Sequence, residues 1–178
     1  MDFDQTVKIL GLIAGYAGVV TLAWRWWDAR RAFLRAEVTA EAMRGHRVKI
    51  RTAVENPNIT PRWIKAAFLV IGPEDENVED TANHLLSKWG KKCDDTLNEM
   101  VREITSIIGT NPKKIIDGCR MIIPLAYYYH ENVDVADEKL SYEHVVPLEE
   151  FPGGVYSVRF YLDAPPRLYR VVHATFEV

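Results

Sequence analysis

The sequence predicts an α+β protein: an N-terminal transmembrane helix followed by a cytoplasmic β-sandwich-like domain with a helical insertion. Three observations predict it. Residues 9–24 form an unbroken uncharged run. Stretches of period-2 alternation lie early and late in the chain, and a helix-patterned segment at about 74–118 separates them. Turn-forming Pro, Gly and Asn residues fall between these stretches. The expected division is an anchor over residues 1–28 and a single domain over 29–178.

The uncharged run makes a helix about 24 Å long at 1.5 Å per residue, and the hydrocarbon core is about 30 Å thick. Lys8 and Arg25 bracket it and can snorkel to the interfaces, while Trp24, Trp26 and Trp27 suit an interfacial belt. A secretory signal is disfavoured, because Asp2 and Asp4 precede the first cation and tryptophans follow the run. Arg25, Arg30, Arg31 and Arg35 all follow it. The positive-inside rule then puts the N-terminus outside and the C-terminal domain in the cytoplasm, as a single-pass inner-membrane protein. Gly11, Ala14, Gly15 and Gly18 line one stripe of the helix, a spacing that lets helices pack closely in lipid. One helix cannot enclose a pore, so a pore would require a homo-oligomer in the bilayer.

The length of 178 residues allows one anchor and one domain with a real core. A net charge of −3 and a pI near 6.0 give no global signature of nucleic-acid binding. Cys93 and Cys119 form no CxxC, which removes the usual zinc and redox motifs.

The elements follow in order. Residues 34–42 and 48–54 both alternate apolar and polar side chains around Arg44-Gly45-His46, which predicts a hairpin. A helix continuing from the anchor through residues 29–44 remains the alternative for the first half. Residues 64–71 are continuously apolar and short enough for a buried strand. The acids Glu74, Asp75, Glu76, Glu79 and Asp80 open a helix with Val78, Ala82, Leu85, Leu86 and Trp89 on one face, closed by Gly90. Thr96 and Glu99 suggest a capping box for a second helix with Leu97, Met100, Val101, Ile104 and Ile108 inward. Asn111-Pro112 starts a short helical turn. Residues 120–130 and 140–146 predict strands, and residues 155–162 and 168–178 predict a terminal hairpin.

Candidate chemistry is sparse. Arg167 and His173 fit the loose Arg-x4–6-His pattern of HEPN ribonucleases and are the catalytic candidates. The pattern is unspecific, HEPN folds are helical, and this pair falls in a predicted strand. The expectation is therefore no enzyme. His130, His144 and His173 lie on predicted strands without metal-ligand spacing, so no metal and no cofactor is expected. Lys113 and Lys114 at the predicted helix start are a possible anion site. Tyr127, Tyr128 and Tyr129 can stack on a base, although alternating core and surface aromatics explain them better.

Two resemblances follow from these residues. The strand ending Val54-Glu55-Asn56, its proline turn and the stretch RWIKAAFLVIG (residues 62–72) resemble the start of immunoglobulin-like β-sandwich domains of bacterial membrane-tethered proteins. The size, the single N-terminal span and the degenerate Arg167/His173 pair resemble the small membrane accessory proteins of type VI-B CRISPR systems. That resemblance implies a gated oligomeric pore in antiviral defence, with an RNA-guided effector or its RNA product as partner. A membrane-tethered module that recognises a nucleotide signal or a partner protein is the alternative, and a membrane-localised HEPN-like RNase the third reading.

Overall fold

The computed structural model describes residues 15–16, 18–24, 26–27, 34–57, 61–87, 90, 97–110, 114–128, 132–133, 139–164 and 167–178. The chain divides into two compact units, Met1–Phe33 and Leu34–Val178.

In the first unit the described residues are helical. They fall within positions 15–27. Among the described residues no helix is long and apolar enough to cross a membrane. This overturns the expected transmembrane helix, and with it the single-pass inner-membrane placement with the N-terminus outside. The α+β assignment is corrected too: the second unit is mainly β, with two antiparallel sheets and short helices.

The smaller sheet has three strands in the order β1-β2-β8: β1 (Arg35–Met43), β2 (Arg47–Glu55) and β8 (Lys139–Pro147). Strands β1 and β2 form a hairpin running from Arg35↔Glu55 to Met43↔Arg47. Gly45 at φ 80° makes the tight turn between them, a conformation for which glycine has no steric penalty. The residues left open between strand and helix are therefore strand from Arg35 onward.

The larger sheet has the order β10-β9-β4-β6-β5. Its members are β4 (Ala66–Pro73), β5 (Ile115–Asp117), β6 (Arg120–Pro124), β9 (Val155–Ala164) and β10 (Arg167–Glu177). A two-stranded ribbon joins β3 (Arg62–Trp63) to β7 (Asn132–Val133). Strand β6 stops at Pro124, and Ala126–Tyr128 is a 3-10 turn, so the strand expected through residue 130 is shorter. Lys114 leads directly into β5, while the short helical turn expected from Asn111-Pro112 lies outside the described residues.

Strand β4 explains its own composition. Ala67, Leu69 and Ile71 join Ile50, Val54, Val158 and Phe160 in the core between the sheets. Phe68 and Val70 point the other way, into a second core with Ala82, Leu85, Leu86, Met100, Val101 and Ile104. A strand covered on both faces loses its alternation and reads as an unbroken apolar run. The cover is helix α1 (Val78–Ser87) and helix α2 (Leu97–Thr110). Asn77 caps α1, its Oδ1 accepting from Asp80 N at 2.7 Å. Gly72 lets α1 sit close, since a Cβ there would lie 2.8 Å from Thr81 Oγ1.

Candidate functional site

The helix-covered face of β9 is the chemically unusual part of the second unit. Strand alternation sends Tyr156, Val158, Phe160 and Leu162 into the core between the sheets. The other set, Ser157, Arg159, Tyr161 and Asp163, turns toward the helices. Ser157, Tyr161 and Asp163 are 2%, 1% and 5% exposed. Ser157 Oγ, Arg159 Nη1, Tyr161 Oη and Asp163 Oδ1 are all buried without a hydrogen-bond partner. The covering helices add Asn83 Oδ1 and Thr105 Oγ1. Each such group loses about 1–3 kcal/mol of hydration, and native proteins rarely keep several along one strand face.

The surroundings hold this face in place. Arg159 Nη2 donates to the Glu76 carbonyl at 2.9 Å, which leaves its Nη1 unused. Burial pulls its guanidinium below the ordinary value. Arg120 grips the Glu76 carboxylate with two bonds of 2.6 Å, and Thr81 Oγ1 donates to it at 2.8 Å. The hydrogen bonds from Arg120 hold the Glu76 carboxyl below the usual range. His84 on α1 meets Asp117 on β5 at 2.7 Å. Tyr161 stacks on Phe68 at 4.9 Å, and burial pushes its phenol well up. Burial likewise raises Asp163, with Lys65 opposing.

Strand β10 extends this face into the open. The register pairs Val171 with Tyr161, His173 with Arg159 and Thr175 with Ser157. Val171, His173 and Thr175 are exposed, so the sheet face passes from a covered polar row on β9 to an open ledge on β10.

A second cluster lies on the other sheet's inner side. The phenol of Tyr128 shares a hydrogen bond of 3.0 Å with Thr52, and Tyr127 hydrogen-bonds His144. Tyr142 packs on both tyrosines, with ring centroids 4.3 Å and 4.9 Å away. Burial lowers His144 and pushes Tyr128 up to about 12. Thr52 with Tyr128 and Tyr127 with His144 thus partner one another, and the rings stack among themselves.

No protein-family model matches the chain, and no curated protein matches its sequence. The assignment therefore rests on the geometry.

The candidates read from the sequence are scattered. Arg167 and His173 lie six positions apart on β10, which separates their backbones by about 20 Å. The strand does not bring them together within one chain. His144 and His173 sit on different sheets, and no group of metal-ligating side chains occurs among the described residues. Gly15 and Gly18 are helical with open space around them, and Trp24, Trp26 and Trp27 are exposed helical residues. Lys8, Gly11, Ala14, Arg25, Arg30, Arg31, Lys113, Tyr129 and His130 lie outside the described residues. Ser157, Arg159, Tyr161 and Asp163 escape sequence reasoning because alternating polar residues imply a solvent-facing side. Only the helical cover makes them buried.

Proposed function

We propose that residues 34–178 are a non-catalytic recognition module of immunoglobulin-like topology, whose ligand site is the polar face of β9 and β10. The topology is supported by the strand order. With β1, β2, β4, β8, β9 and β10 as strands A, B, C, E, F and G, the sheets read A-B-E and G-F-C. Tyr156, near the start of β9, donates from its hydroxyl to Pro152 O at 2.7 Å, the geometry of a tyrosine corner.

The observation that carries the binding role is the row of orphaned polar atoms on Ser157, Arg159, Tyr161 and Asp163. A fold tolerates such groups where a bound molecule supplies the missing partners. A recognition role needs no nucleophile and base within reach of one another, and Arg167 and His173 do not supply such a pair. The gated-pore reading needs a membrane-crossing helix, which the described residues do not contain.

Thermal-shift screening of the full-length protein against small polar ligands tests the proposal. At least one ligand class should raise the Tm. Tyr161→Phe keeps the stack on Phe68 and removes only the unpartnered hydroxyl, so it should fold normally and lose part of that gain. No shift with any ligand, or an undiminished gain in Tyr161→Phe, overturns the proposal.

A further inference from the structure

Resting on that reading, we infer that Ser157, Arg159, His173 and Thr175 form a cradle for the phosphate group of a small ligand. The four side chains make a two-by-two block. Ser157 faces Thr175 and Arg159 faces His173 across the β9–β10 pair. Directly opposed residues have Cβ atoms about 5 Å apart, and same-face neighbours along a strand lie about 7 Å apart. The block therefore surrounds a patch the size of one tetrahedral oxyanion.

Its chemistry is one-sided. Two hydroxyls, an imidazole and a guanidinium all can donate, and no carboxylate lies within the block. Glu76, in the turn before α1, already has its carboxylate engaged by Arg120 and Thr81 and hydrogen-bonds Arg159 only through its carbonyl. Glu177 sits one same-face position beyond Thr175, outside the block. Among the described residues Arg159 makes no ion pair with a carboxylate, and its Nη1 has no partner. A guanidinium with one half anchored and one half unused has a donor left over for an oxyanion. Ser157 supplies the independent sign of a missing partner, being 2% exposed with an unsatisfied Oγ.

Phosphate fits better than carboxylate because it presents three terminal oxygens to donors on two strands, where a carboxylate presents two. Exposed His173 and Thr175 give access from the β10 side, and the buried Nη1 of Arg159 must turn toward them for the anion to be held. Arg159 is then the anchor, Ser157 the floor and the two β10 residues the open rim.

Calorimetry on the full-length protein tests this with inorganic phosphate, adenosine 5′-monophosphate, adenosine and acetate at matched ionic strength. Phosphate or the monophosphate should bind, while adenosine and acetate should not. Arg159→Gln should weaken binding by about tenfold or more, and Thr175→Val or His173→Gln severalfold each, since bonds to charged groups outweigh neutral ones. Thr175 and His173 are exposed, so their variants keep the test decisive if Arg159→Gln fails to fold. Equal binding of acetate or adenosine would overturn the phosphate assignment while leaving a recognition site in place. Phosphate binding unaffected by all three variants would place the anion elsewhere and overturn it too. Binding of none of the four probes overturns the phosphate assignment, and only a silent thermal-shift screen as well removes the recognition module.

Discussion

The outer face of the three-stranded sheet and the covered face of β9 treat polar groups in opposite ways. On the first, charges meet water and still find partners across strands. Lys139 donates to Glu37 at 2.7 Å, and Glu143 accepts from Lys49 at 2.8 Å and from Arg51 at 2.9 Å. The hydrogen bonds from these cations hold Glu37 and Glu143 below the ordinary glutamate range. On the second face, polar atoms are removed from water and left without partners. Optimising stability alone would reverse this allocation, because an exposed pair contributes little while a buried orphan is expensive. The difference marks β9 as the part of the domain shaped by something other than folding.

Four substitutions break or sharpen that contrast. Arg120→Met has the largest expected effect, because it strands a half-buried Glu76 at the edge of the covered face. Denaturant unfolding should show a loss of about 2–3 kcal/mol. Ser157→Ala goes the other way: deleting an orphaned hydroxyl should stabilise the unliganded protein by about 1 kcal/mol. A loss of that size would mean the hydroxyl has a partner and would dissolve the contrast.

Asp163→Asn gives a smaller, pH-dependent change. Burial raises the Asp163 carboxyl, so the folded chain holds that proton more tightly than the unfolded chain. Its ionised form therefore opposes folding at neutral pH, and the penalty disappears as pH falls through the folded-state pKa toward the ordinary value near 4. Thermal melts should find Asp163→Asn more stable at pH 7, with the advantage shrinking toward pH 4. Glu76 acts in the opposite sense. Its contribution is complete above the ordinary glutamate value of about 4.3 and is lost below it. Glu143→Gln, on the solvated face, should leave the Tm within experimental scatter.

Local patterning made much of the strand framework legible. The β1–β2 hairpin declared itself through alternation around Gly45, and β9–β10 through alternation around Pro165-Pro166. The helical segment was legible from its acids and its 3.6-residue apolar period. What failed was context. The uncharged run near the N-terminus has the composition of a membrane helix, yet among the described residues no helix is long and apolar enough to cross a membrane. Residues 125–130 have strand-like aromatics, yet Pro124 ends β6 and Leu125 N bonds Ala67 O as the chain turns. The candidate face was hidden for a subtler reason. Ser157, Arg159, Tyr161 and Asp163 carry the pattern of a solvent side, and only α1 and α2, held by the Gly72–Thr81 approach and the Arg120–Glu76 clasp, turn it into an interior.

The buried phenols give the domain a particular response to base. Tyr128 ionises near 12 in the folded chain, and Tyr127 and Tyr161 are raised further, burial being the main cause in each. Below about pH 10 all three are neutral folded or unfolded; between there and about pH 12 mainly the unfolded chain sheds their protons. Alkaline exposure should therefore not bleach these tyrosines one at a time. Tyrosinate absorbance from them should appear together with loss of the fold, as a single steep release of protons.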